Sequence, residues 1–127
     1  MARQVISLDT NYLILALVPG SREGQEVIAW AQTGEPLVTS AVSWYEFLCG
    51  PVSPAQVRAM RSLLRQILPF DEPQAAIAAQ LFAATGRRRS LRVDGMIAAT
   101  AIAAAAALAT NNRSDFAAFT AHGLKLA

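Results

Sequence analysis

VISLDTNYLILAL, residues 5–17, places a single acid, Asp9, in a run that is otherwise apolar or uncharged. Residues 4–8, QVISL, suit a short buried strand. TNYLILALV, residues 10–18, suits a helix that Pro19-Gly20 ends. A strand running straight into a helix is the building unit of an α/β fold. Asp9 stands at the junction, where a carboxylate either caps the helix or works as a functional group. Taken alone, the cap is the more economical explanation.

The same grammar continues outward from this stretch. Ser21 is placed to cap a second helix, with Glu23 and Glu26 in its first turns and Gly34 as its stop. LVTS (37–40) is a second short strand after Pro36, and SAVSWYEFLCG (40–50) forms a compact helix closed by Gly50-Pro51. Ser53-Pro54 pairs a capping hydroxyl with a proline at the first helical position. In the helix that follows, Val57, Met60, Leu64 and Ile67 share one face, and Arg58, Arg61 and Arg65 another. ILPF (67–70) resembles a strand demoted by its proline. An alanine-rich helix over 73–85 stops at Gly86, and Asp94 opens a long helix, GMIAATAIAAAAALA (95–109). Leu108–Asn111 suggests a fourth strand, DFAAF (115–119) a short helix and LKLA (124–127) a final edge strand. This alternation predicts a three-layer α/β/α sandwich around a short, mainly parallel sheet, in a single domain over residues 1–127.

Composition narrows the function. The chain has 127 residues, 54% hydrophobic and 16% charged, enough for a buried core without staples. Cys49 is the only cysteine, which excludes an intrachain disulfide and a thiolate zinc site. A lone, half-buried thiol fits a reducing cytosol. The apolar run Met96–Ala109 is too short to cross a bilayer, and MARQVISLDT lacks the apolar core of a signal peptide. A cytoplasmic protein without membrane contact is expected. Net charge is only +2, but ten of the eleven cations are arginines, four of them at Arg87, Arg88, Arg89 and Arg92. Guanidinium groups bind phosphate bidentately, so this loop is either a phosphate contact or a solvated stretch of charge.

Of the nine acids, Glu23, Glu26, Glu35, Asp71 and Glu72 lie in polar or turn-rich contexts and need no functional account. Asp94 and Asp115 each stand near the start of a helix and, like Asp9, are good capping candidates. Glu46 breaks the pattern. It is the only charge in SAVSWYEFLCG, it shares a face with Val42, Tyr45 and Cys49, and no cation lies within a turn of it. An unpaired buried carboxylate is costly, so Glu46 requires a distant arginine or a metal ion. In open α/β sheets, sites form beyond the carboxyl ends of the strands, and all four acids can converge there. Converging carboxylates need a neutralising cation, and an all-oxygen donor set suits Mg²⁺ or Mn²⁺.

In chain order, SLDTNYLI, SAVSWYEFLCG, VDGMIAATA and TNNRSDF resemble the signature segments of the PIN-domain ribonucleases, particularly the VapC-type toxins of bacterial toxin–antitoxin systems. The first resembles the opening strand with its Asp-Thr/Ser-Asn signature, and the second places Glu46 as the next acid. The third matches Asp-x-x-Ile-Ala-Ala-x-Ala at Asp94. The fourth matches Thr-x-Asn-x-x-Asp-Phe at Asp115.

The resemblance implies a metal-dependent endoribonuclease with Mg²⁺ or Mn²⁺ as cofactor. Asp9, Asp94 and Asp115 would hold the metal, and Glu46 would ligate through water or position that water. Thr10, Asn11, Thr110 and Asn112 would support the carboxylates. Arg87, Arg88, Arg89 and Arg92 become candidates for the RNA backbone. Arg58, Arg61 and Arg65 are a second track that is better explained as a solvated face. A cognate antitoxin protein and a second copy in a homodimer are the implied partners. Residues 51–90 carry no motif of the family. Trp30, Trp44 and Tyr45 suit packing, and His122 has no assigned role.

Two other functions are weighed against this one. A catalytically silent PIN-like binding module would lack at least one acid, and all four are present. A phosphoacceptor receiver domain would need paired acids after its first strand and a late lysine beside the site. Here Asp9 stands alone, and Lys125 falls in a buried edge-strand pattern.

Overall fold

A computed structural model describes residues 3–127. Five strands, β1 (Ile6–Leu8), β2 (Leu37–Ser40), β3 (Gln66–Leu68), β4 (Ala107–Ala109) and β5 (Lys125–Leu126), form one sheet in the order β3-β2-β1-β4-β5. Every neighbouring pair is parallel, with Ile6 opposite both Leu37 and Ala107. The helices are α1 (Thr10–Leu15), α2 (Arg22–Gln32), α3 (Ala41–Cys49), α4 (Pro54–Leu63), α5 (Glu72–Ala84), α6 (Arg92–Ala103) and α7 (Arg113–Phe116). From β1 the chain steps to β2 and β3, then returns to build β4 and β5 on the other side of β1. The direction of winding therefore reverses between β1 and β4. A crevice opens there at the carboxyl ends of the strands.

Side chains alternate across each strand, which splits the interior in two. Ile6, Leu8, Leu37, Ala107 and Ala109 meet Tyr12, Leu13, Val27, Phe47 and Met60 on one face. Leu108 points to the other, against Leu81, Ile97, Phe116, Phe119 and Leu124. Helices cover both faces, so the expected α/β/α sandwich is present. The alanines of α6 have a clear role in it: Ala98, Ala99 and Ala101 are fully buried, and their small volume lets the helix pack closely over the interior. The cap read at Ser53 is also present. Ser53 Oγ accepts from the Gln56 amide at 3.1 Å, and Gln56 Oε1 accepts from the Ser53 amide at 2.9 Å.

Several boundaries differ from the expected ones. β1 begins at Ile6 rather than residue 4, and α1 stops at Leu15 rather than residue 18. α4 ends at Leu63 because the Arg65 amide leaves the helix to bond the Leu37 carbonyl at 2.7 Å. Ile67 then joins β3 opposite Thr39 instead of continuing the helix face. Arg58, Arg61 and Arg65 accordingly do not form one helical track. α6 ends at Ala103, with Ala105 turned into the left-handed region at φ 53°, and β4 starts at Ala107. Three burial expectations also fail. Lys125 and Cys49 are exposed, and Tyr45 is 67% exposed on the outer side of α3 rather than packed. No helix among the described residues is long and apolar enough to cross a membrane.

Candidate functional site

Asp9 occupies the switch-point crevice. Its amide continues the sheet by donating to the Ala109 carbonyl at 2.9 Å, and its own carbonyl accepts from the Leu13 amide at 3.1 Å, which begins α1. The carboxylate accepts from the Thr10 amide at 2.8 Å through Oδ1 and from Thr110 Oγ1 at 2.7 Å through Oδ2. Asp9 is therefore both the N-cap of α1 and a carboxylate fixed from two sides, 6% exposed. Thr110 Oγ1 in turn accepts from the Asn112 amide at 2.9 Å.

Glu46 reaches the same place from α3. Phe47, fully buried, seats that helix, and Thr10 Oγ1 donates to Glu46 Oε1 at 2.7 Å. Asp94 lies in the first turn of α6, where the helix dipole favours an acid, but it caps nothing: Leu91 holds the N-cap position. Asp115 likewise does not cap. It sits in the first turn of α7 behind Asn112, whose Nδ2 donates to Asp115 Oδ2 at 3.0 Å.

Asp9, Glu46 and Asp94 thus face one open cleft of about 400 Å³, with Thr10, Asn11 and Asn112 beside them. Asp115 lies outside this lining, yet its charge reaches the cleft. Asp94 is pushed up to about 6, first by burial and then by the charges of Asp9, Asp115 and Glu46. Burial also raises Asp9, and the Thr110 and Thr10 hydrogen bonds partly counter it.

The charge balance tests whether a cation suits these groups. Among the described residues the only ion pairs join Arg22 to Glu23 and to Glu26, so no side-chain cation pairs with the four acids. The donors are all oxygen, the chemistry that hard divalent ions take. Among the described residues no three His, Cys, Asp or Glu side chains are already drawn into a closed cage. The donor set fits in kind, and the carboxylates would have to converge further to share one ion.

Other expected residues lie elsewhere. Arg89 and Arg92 border a separate apolar groove with Phe82 and Met96, outside the acid cleft. Two neighbours are not marked as functional in the sequence. Asn111 lines the cleft, and Glu23, there a solvated first-turn acid, is buried and accepts from Asn111 Nδ2 at 2.9 Å. No local signal marks that pairing across 88 residues, although Asn111 stands inside the TNNRSDF segment.

A sequence profile of the PIN domain matches residues 6–121. Toxin FitB of Neisseria gonorrhoeae is 34% identical over 128 residues, covering 88% of this chain and 91% of FitB. Among solved structures, a chain in the crystal structure of FitAcB from the same organism is 28% identical. It has a TM-score of 0.71 and covers 97% of each chain. A chain in VapBC2 from Rickettsia felis, bound to a DNA fragment from their promoter, reaches a TM-score of 0.79 over 98% of each chain. Its identity is 19%, a likeness of fold.

Proposed function

The chain belongs to the PIN-domain family, and from that premise we propose that it is a Mg²⁺- or Mn²⁺-dependent endoribonuclease, the toxin of a toxin–antitoxin pair. One observation carries this reading. Three carboxylates from three separate elements face one cleft at the sheet's switch point, with a fourth close enough to perturb Asp94 and, among the described residues, no side-chain cation paired with them.

In this proposal Asp9, Asp94 and Asp115 hold the cation, and Glu46 ligates through water or orients the attacking water. When bound, the cation makes a water nucleophilic near neutral pH and offsets charge on the phosphoryl oxygens. The remaining work belongs to the chain. Thr110 and the Thr10 amide fix the Asp9 carboxylate, Thr10 Oγ1 fixes Glu46, and Asn112 restrains Asp115. Asn11, at the cleft wall, is a further polar contact for substrate. A constellation held in place by its neighbours loses little to reorganisation when the substrate arrives.

Arg87, Arg88, Arg89 and Arg92 are assigned to the RNA backbone. Neutralising Arg89 and Arg92 together is expected to weaken RNA binding. The salt dependence should flatten by a log–log slope of about 1.4, since each lost contact to a single strand removes about 0.7. Filter binding between low and moderate salt checks this. An unchanged slope would remove both residues from the RNA path.

The implied partners are a cognate antitoxin and a second copy of the chain, acting in the cytoplasm as a single catalytic domain. Exposed Tyr45 on α3 and Val93 on α6 line an apolar groove that Glu46 also borders, a surface for such contacts. Expression of the chain alone is expected to arrest bacterial growth, and co-expression of the product of the adjacent reading frame to relieve it. Normal growth with soluble, folded protein present would contradict the toxin assignment.

A further inference from the structure

Glu23 is a buried acid whose surroundings are unlike a solvated first helical turn. Its Oε2 accepts from Arg22 Nη2 at 3.0 Å and from Asn111 Nδ2 at 2.9 Å, and the same Arg22 Nη2 donates to Asn111 Oδ1 at 2.8 Å. The three side chains close a ring that engages both ends of the Asn111 amide. The Asn111 bond also holds the Glu23 carboxyl below the usual carboxylate range, as expected for a working acceptor.

The base of this ring is anchored. Ser21 Oγ donates to the Leu15 carbonyl at 2.6 Å and accepts from the Gly24 amide at 2.9 Å. A Cβ at Gly24 would stand 3.1 Å from the Ala16 carbonyl oxygen, so the first turn of α2 sits tightly against the end of α1. The other end of α1 is Asp9. Asn111 itself lies between Thr110, which donates to Asp9, and Asn112, which donates to Asp115.

We propose that Glu23, with Arg22, is a positioning residue: it latches Asn111 to α2 and so fixes the β4–α7 turn that carries Asn112 and Asp115 beside the acid cleft. Its consequence for the cation rests on the function proposed above; the latch itself does not. Glu26, which bonds Arg22 Nη1 and Tyr12 Oη but not Asn111, is the matched control.

Hydrogen exchange over residues 110–116 of the metal-free protein tests the latch. Glu23→Ala is expected to speed exchange there about tenfold, and Glu26→Ala to change it less than about twofold. Titration with Mn²⁺, followed by the electron paramagnetic resonance signal of the free ion, tests the consequence. Glu23→Ala should raise the half-saturating concentration about tenfold. Glu23→Gln, whose amide oxygen still accepts from Arg22 and Asn111, should stay within about threefold of the parent. Asn111→Ala breaks the ring from its other end and should reproduce both changes, with the double variant no worse than either single one.

Unchanged exchange in Glu23→Ala and Asn111→Ala overturns the latch. Faster exchange with unchanged Mn²⁺ binding overturns the positioning role and leaves Glu23 a structural residue. If the parent protein itself binds no Mn²⁺, the metal proposal and this consequence both fail, while exchange still decides whether the latch exists.

Discussion

Asn in place of Asp94 is expected to cut cleavage on the order of 10³-fold while making the metal-free protein more stable at pH 7. The loss follows from removing a ligand to a cation that supplies several kcal/mol of transition-state stabilisation, each 1.36 kcal/mol being about tenfold in rate. The gain follows from linkage. Asp94 stands near 6, against an ordinary value of 3.8, because burial and three neighbouring acids disfavour its charge. Between these two values the folded state holds more protons than the unfolded one, so stability falls as pH rises through that window. The cost of the charge is fully present at pH 7 and absent below about pH 4. The difference in Tm between Asp94→Asn and the parent should therefore be positive at pH 7, by a few degrees, and shrink toward zero as pH falls to 4. Thermal melts at several pH values without metal read this directly, and a variant less stable than the parent at pH 7 would contradict a charge on Asp94 disfavoured by burial and by its neighbouring acids.

Removing divalent metal should have an equally large effect. Chelation is expected to take RNA cleavage to background, on the order of 10³-fold or more, and Mg²⁺ or Mn²⁺ to restore it. The same ion should stabilise the fold. At about a hundred times its dissociation constant it contributes about 2.7 kcal/mol, visible as a rise in Tm. Chelation should leave the folded state intact, because the two clusters that hold the fold together, one on each face of the sheet, are apolar and contain none of the four acids. A loss of structure on chelation would instead make the metal part of the fold.

The fold was legible where a residue's role is set by its neighbours in sequence. Asp9 at a strand–helix junction, Ser53-Pro54 at a helix start and the alternation of short elements all report local backbone preferences. The limits of α4 were not legible, because SLLRQIL contains no glycine or proline, and only the pairing of Arg65 with Leu37 pulls the chain out of the helix. Tyr45 shares the helical spacing of core residues, but α3 turns Phe47 inward and leaves Tyr45 in solvent. For the acids, position along the chain gave the convergence and not its details. Asp94 and Asp115 look like caps in one dimension, yet each is the third residue of its helix, inside the first turn rather than at the cap. Glu23 looks like an ordinary first-turn acid because its partner, Asn111, is brought to it only by the return of β4 beside β1.

Binding of Mn²⁺ to the parent protein and to Asp9→Ala, followed by the loss of the free-ion resonance signal alongside cleavage of a single-stranded RNA, tests the shared metal site most directly. The parent should show saturable binding and metal-dependent cleavage, with both abolished in Asp9→Ala. The variant should remain folded, with the loss of a helix cap and of the Thr110 hydrogen bond, about 1 kcal/mol each, against it. Equal binding and equal cleavage by the two proteins would contradict a metal site built on Asp9.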